Sequence, residues 1–310
     1  MALVVAAAIG VGLSAVRSPQ RGTAGQPVEA FTHIHGLEVA PWAPRQVFLA
    51  THLGLIVIDE AGAWAVVSEE AHDLMGFRTH PSQEGVLYAS GHPAPGSGVA
   101  NPVGFRLSRD GGRTWESLSL EGVADFHAMA ADHRDGRVIY GWNVGRDPGF
   151  YRSGDGGQTW ERLDGLDPAV VGGVFAVAVH PDDPNRVLAG TEVGIVESLD
   201  AGGSWRSLLA GYPVTSIAWA PDGGLLAYLA HPDGGLVVSL DHGASWTSLS
   251  LILQNDAVAH IAPHPADPEV LYVGTFGETL LRTTDGGRAW ELLAQGGVPL
   301  EAPQPVAPGG

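Results

Sequence analysis

The chain has 310 residues, 45% of them hydrophobic and 16% charged, with 44 glycines, 22 prolines, no cysteine and a net charge of −18. That is enough apolar material for a large core and too little charge for a disordered chain. Without cysteine there are no disulfides, thiolate metal sites or cysteine nucleophiles. The basic residues are all arginine, and a chain this acidic repels phosphate backbones, so no nucleic-acid partner is expected and cationic partners, metal ions included, are favoured.

Residues 1–16 (MALVVAAAIGVGLSAV) are apolar and uncharged. The run is short for a membrane span and lacks a basic flank before it, so it reads as a signal peptide or membrane anchor. This places the protein outside the cytoplasm, with membrane contact only through that segment. Residues 17–30, rich in Gly, Pro and Gln, read as a linker. The tail, residues 297–310, is Pro/Gly-rich and reads as disordered.

Between them one octapeptide recurs. It stands as Ser108-Arg-Asp-Gly-Gly-Arg-Thr-Trp115, Ser153-Gly-Asp-Gly-Gly-Gln-Thr-Trp160, Ser198-Leu-Asp-Ala-Gly-Gly-Ser-Trp205, Ser239-Leu-Asp-His-Gly-Ala-Ser-Trp246 and Thr283-Thr-Asp-Gly-Gly-Arg-Ala-Trp290. A degenerate copy, Val57-Ile-Asp-Glu-Ala-Gly-Ala-Trp64, lies upstream. Trp64, Trp115, Trp160, Trp205, Trp246 and Trp290 are thus 51, 45, 45, 41 and 44 residues apart. Each repeat divides into four short apolar runs bounded by Gly or Pro. In the fourth these are residues 173–179, 186–190, 194–198 and 205–209. Four strands per repeat of about 40–50 residues predict an all-β chain over residues 31–296, a six-bladed β-propeller of four-stranded antiparallel blades. Ring closure is open between the last strand of blade six alone and residues 28–31 pairing beside it.

The octapeptide resembles the Asp-box, or BNR, repeat of sialidases and other propellers. Asp and Gly set a tight turn, the carboxylate and hydroxyl bind backbone amides, and the Trp packs inward. The resemblance implies that this turn joins the third and fourth strands, away from the functional face. With its His-Ile-His-Gly, His-Asp-Leu-Met-Gly-Phe, Ser-Gly-His-Pro, Asn-Pro-Val-Gly-Phe and Asp-Phe-His-Ala-Met segments, the chain also resembles exported bacterial six-repeat proteins labelled sialidase-like glycosyl hydrolases.

Eight of the 13 histidines precede residue 134. The innermost strands of blades one to three begin at Thr32-His33-Ile-His35, His72-Asp73 and Asp125-Phe-His127, where blades four and five have plain residues. The loops between second and third strands, on the same face, add His52 and His92. His33, His35, His52, His72, His92 and His127 are therefore candidate metal ligands, with His33 and His35 two apart on one side of a strand. Imidazole with carboxylate suits a transition metal, and Met75 and Met129 nearby tilt the choice between copper and zinc toward copper. The competing reading is that a polar channel uses histidines to satisfy buried amides. His80, His180 and His264 precede proline in a turn on the opposite face and read as structural.

Two other functions compete. Asp73 and Asp125, on neighbouring blades of the same face, are candidate catalytic carboxylates of a glycoside hydrolase. The Arg-Ile-Pro tripeptide and arginine triad that a sialidase resemblance implies are not evident in the sequence. A rigid disc with a loop-rich face also suits a protein partner, as in assembly scaffolds.

Overall fold

The computed structural model describes residues 24–306. The signal peptide or anchor expected over 1–16 lies outside the described residues, as does the first half of the linker. Among the described residues there are 25 strands and one short helix, Pro168–Val171. No helix among them is long and apolar enough to cross a membrane. The strands form six antiparallel sheets, each taking consecutive strands in sequence order. The chain is a six-bladed β-propeller.

The innermost strands are Gly36–Val39, Asp73–Thr79, Phe126–Ala131, Val174–Val179, Val214–Trp219 and Val258–Pro263. Each adjoins the innermost strand of the blades on either side. Second strands such as Val187–Thr191 are buried along their whole length, because both faces of a blade are covered by neighbouring blades. Core clusters straddle adjacent blades. Tyr140, Phe150 and Val187 share one, and Leu188, Ile217 and Leu225 another.

The octapeptide turns repeat one hydrogen-bond pattern. The Ser153 hydroxyl donates to Asp155 Oδ1 (2.8 Å) and accepts from the Gly157 N–H (2.8 Å). The other Asp155 oxygen accepts from the Thr159 hydroxyl at 2.6 Å. Ser198 with Asp200 and Ser239 with Asp241 do the same. These hydrogen bonds hold the carboxyls of Asp155, Asp200 and Asp241 down at about 2. The turn in each of these blades is a folding device with its polar groups already engaged.

Both ends of the chain differ from the sequence reading. The tail is ordered over Val298–Pro305, which pairs with Glu291–Gln295 as a fifth strand of blade six. The backbone of that edge strand offers hydrogen bonds that outweigh a Pro/Gly-rich composition. The described part of the linker is likewise fixed. The N–H of Gly25 donates to Val66 and that of Val28 to Trp64, so this stretch lies along the outer strand of blade one rather than blade six. Ring closure uses side chains and single bonds. Phe31, Ile34, Leu280 and Ala294 share a core, and the Phe31 N–H donates to the Gly297 carbonyl at 2.8 Å.

Candidate metal centre

Among the described residues, two groups of His and Asp bring ligand atoms within 4.8 Å of one another: His35, His52 and Asp73, and His92, Asp125 and His127. Both lie on the face where the innermost strands begin. Asp73 opens the innermost strand of blade two, and Asp125 immediately precedes that of blade three. His35 precedes the first strand of blade one, His52 follows its second, and His92 ends the second strand of blade two.

Two glycines shape the ground between the groups. Gly91 has φ 110°, and a Cβ there would sit 2.1 Å from the Asp73 carbonyl oxygen, so only glycine lets the second strand of blade two pass so close. Gly76 (φ 55°) lies where the pairing shifts register between Met75 and Arg78, a bulge whose missing Cβ admits the Phe126 carbonyl of blade three.

In the first group, His35 Nε2 lies 3.2 Å from Asp73 Oδ1 and His52 Nε2 lies 3.3 Å from Asp73 Oδ2. Despite its short distance, the His35–Asp73 pair is out of line for a hydrogen bond, and both atoms are buried without a partner. His33 completes a fan of imidazoles, stacked on His35 with centroids 5.6 Å apart and 4.6 Å from His52. It does so from an unexpected backbone. Residues 33–35 precede the strand Gly36–Val39, and His33 takes a left-handed φ of 52°. Its side chain is 57% exposed, its N–H donates to Glu278, and it joins neither group.

In the second group, His127 Nε2 lies 3.0 Å and His92 Nε2 3.5 Å from Asp125 Oδ2. The other carboxylate oxygen of Asp125 is buried without a partner. His92 Nδ1 donates to Asn101 Oδ1 at 2.8 Å, which fixes the tautomer and leaves the Nε2 lone pair facing Asp125.

The electrostatics divide the imidazoles. Burial lowers His35 to about 4 against the pull of Asp73, so its ring is neutral near pH 7. His52 is raised by its contact with Asp73. Burial alone would raise Asp73, but its contact with His52 and the neighbouring imidazoles hold it below the usual range.

His72 does not join them. It is 2% exposed, its Nδ1 accepts from the Ala94 N–H at 2.9 Å, and its Nε2 meets Glu70 at 2.8 Å. Neighbours along an extended chain point to opposite sides, so Asp73 at the channel sends His72 into the blade. That alternation was the available signal. The two methionines differ from expectation as well. Met129 is fully buried in an apolar core against Gly76, and Met75 lies against Gly91. The converging donors are imidazole and carboxylate, a set suited to zinc or copper(II). On the opposite face, the Nδ1 atoms of His80, His180 and His264 accept backbone N–H groups two residues on.

Each group could hold an ion. Ligand bonds of about 2.0–2.1 Å at tetrahedral angles place neighbouring ligand atoms ~3.3 Å apart. The imidazole–carboxylate separations are 3.0 and 3.5 Å to the one oxygen Asp125 Oδ2, and 3.2 and 3.3 Å to the two different oxygens of Asp73, with all ligand atoms of a group within 4.8 Å of one another. Three protein donors per ion leave an open coordination position. Behind the groups the channel narrows to a cavity of about 20 Å³ lined by His35, His127 and His260. The Arg78 guanidinium, paired with Glu38 at 3.0 Å, separates it from a cavity of about 430 Å³ at the far mouth.

The fold is shared with glycoside hydrolases of family GH74. A GH74 xyloglucanase from Xanthomonas campestris aligns at 21% identity and TM-score 0.62, over 89% of this chain and 47% of that one. A GH74 enzyme from Niastella koreensis aligns at 15% and 0.63, over 88% and 47%. The chain therefore spans about half the length of the GH74 structures it matches. A protein of unknown function from Bacteroides thetaiotaomicron aligns at 9% and 0.60, over 84% and 72%. No protein-family model and no curated protein sequence matches the chain.

Proposed function

We propose that this protein is an extracytoplasmic metal-binding propeller that holds a divalent transition ion, zinc or copper(II), at the channel mouth. The observation that carries this reading is the pair of His₂Asp groups in which buried donor atoms (His35 Nε2, Asp73 Oδ1 and Asp125 Oδ1) have no partner in the protein. Such atoms cost about 1–3 kcal/mol each when left unsatisfied, and an ion between His35 Nε2 and Asp73 Oδ1 would satisfy both of those. His35, His52 and Asp73 would hold one ion, and His92, Asp125 and His127 offer an equivalent place. Bound there, a transition ion would act as a Lewis acid at its open position. The role of the chain is to keep His35 neutral, to orient His92 through Asn101, and to close the rear of the site with Arg78.

Elemental analysis and calorimetry of purified protein with Zn(II) and Cu(II) test this. Wild type should bind metal, and His35→Ala and His127→Ala should each weaken uptake. A wild type that takes up neither ion would sink the proposal.

The glycoside hydrolase alternative requires Asp73 or Asp125 to act as a proton donor with a raised pKa. Asp73 is shifted the other way. If carbohydrate is the substrate, aryl glycosides should be hydrolysed, and Asp73→Asn or Asp125→Asn should abolish this. A protein-binding role draws support from exposed apolar side chains in the connections of the same face, Val170 among them on the short helix Pro168–Val171. Val144, Val170, Val193, Tyr212, Ile252 and Phe276 are each at least 37% exposed, on blades three to six.

A further inference from the structure

The two His₂Asp groups adjoin one another. Asp73 of the first is the cross-strand partner of His92 of the second, paired on the first two strands of blade two. Directly opposed residues of an antiparallel pair point to the same side with Cβ atoms about 4.5–5.5 Å apart. The carboxylate of one group therefore stands beside an imidazole of the other. His92 in turn is among the groups that act on Asp73 electrostatically, and His127 is among those that act on His35. His35 and His127, one from each group, line the same narrow end of the channel.

Each group also has unspent capacity. The Asp125 side chain is 8% exposed, and its Oδ1 has no partner. Asp73 Oδ1 is likewise buried and unpartnered. One ion in one group would leave the buried oxygen of the other unsatisfied. His52, His92 and His127 are each at least 40% exposed, so both groups are open to solvent at the channel mouth.

Charge decides what comes next. The two groups contain four imidazoles, neutral when they ligate, and two carboxylates. Two divalent ions against two carboxylates leave a net charge of about +2 on the filled centre, while the Arg78 guanidinium at the rear of the channel is balanced by its pair with Glu38. With one open position per ion facing the mouth, the filled centre calls for an anion with two oxygens to offer.

We propose that the two groups form one paired-cation centre that binds two divalent transition ions side by side and takes a small dianionic oxyanion of the phosphate type across their open positions. This rests on the metal reading above and deepens it. It makes the single-ion form an intermediate of loading, and it makes anion binding conditional on both ions.

Cu(II) is the probe for the ions, and inorganic phosphate for the anion. Titration of the full chain followed by elemental analysis should give two Cu(II) per protein. Electron paramagnetic resonance should show the broadened, half-field signature of two nearby spins. The variant His127→Ala, at an exposed position, should bind one Cu(II) with an ordinary isolated-ion spectrum. Calorimetry should detect phosphate binding to the doubly loaded wild type. Binding should be at least about tenfold weaker to the apoprotein and to singly loaded His127→Ala. His92→Ala provides an independent second variant with the same expectation.

No copper uptake at all would overturn the metal reading and this one with it. One ion in wild type, or two ions without spin coupling, would overturn the pairing and leave the metal reading standing. A coupled pair that ignores phosphate would overturn the anion assignment.

Discussion

Substituting His260 by glutamine should reverse the order of stability of the two proteins between neutral and acid pH. His260 lies on the innermost strand of blade six and faces the narrow channel, where its Nε2 meets the Ile34 carbonyl at 2.9 Å. Burial, with the nearby Arg78 guanidinium, pushes its pKa down to about 3. The folded state keeps this ring neutral while the unfolded chain takes up a proton below about 6.5. The stabilising effect of the depressed group is therefore fully present above pH 6.5 and is lost progressively as pH falls toward 3, by about 1.4 kcal/mol per pH unit. At pH 4 the loss amounts to about 3 kcal/mol, and the full window is worth at most about 5 kcal/mol. Glutamine retains a donor for Ile34 and has no charge to gain. It should cost about 1 kcal/mol at pH 7, from poorer packing and a longer bond, and should be the more stable protein at pH 4. Urea unfolding at pH 7.5, 6, 5 and 4 measures the difference, and titrations of groups remote from His260 cancel in it. Parallel stability curves between pH 7 and pH 4 would refute the argument.

Three further substitutions probe the same physics elsewhere. His72→Ala removes a buried ring that accepts from Ala94 and meets Glu70, so it should cost about 1–3 kcal/mol in urea unfolding. It should leave metal stoichiometry unchanged, and a folded His72→Ala protein that no longer binds metal would contradict the geometry. Glu197 is fully buried between Arg186 (2.6 Å) and Arg206 (2.5 Å), and Glu197→Gln strips both guanidiniums of their counter-charge. With Arg206 largely exposed, the expected cost is about 2–3 kcal/mol, and a loss under about 1 kcal/mol would show that water replaces the carboxylate. Asp155→Asn leaves the Thr159 hydroxyl without its charged acceptor, for about 1 kcal/mol near pH 7. Because the Asp155 carboxyl is held at about 2, that advantage is present above pH 4 and fades as pH falls through 2. A difference that stays constant from pH 7 to pH 2 would count against it.

The repeat made the ring legible because each octapeptide encodes its own turn. Ser153, Asp155, Gly157 and Thr159 satisfy one another within seven residues, so the pattern is local and survives without knowledge of the rest of the fold. The chain termini were not legible for the converse reason. Val298–Pro305 has the composition of a loop, and only the open edge at Glu291–Gln295 makes it a strand. An edge is a property of the assembled sheet and leaves no mark on the sequence that will cover it. The same holds for Gly25 and Val28, whose partners Val66 and Trp64 lie 41 and 36 residues away.

The candidate site sits between these extremes. Its residues could be enumerated, because strand starts and second-to-third loops converge on one face of any propeller, and five of the six histidines lie together there: His35, His52, His92 and His127 in the two His/Asp groups, with His33 stacked beside them. Their grouping could not. Dividing them into two sets requires knowing that Asp73 faces His92, which depends on a register interrupted by the bulge between Met75 and Arg78. It also requires that His33 reach the cluster from a left-handed turn instead of a strand. His72 shows how fine the margin is. It differs from Asp73 by one position, and in extended chain one position exchanges the channel for the interior of the blade. A histidine count therefore locates the face, while the alternation of side chains along each strand decides which members can share an ion. On that criterion the candidate centres are Asp73, a quarter exposed, and Asp125, buried, each met by two imidazoles and each with a buried oxygen still without a partner.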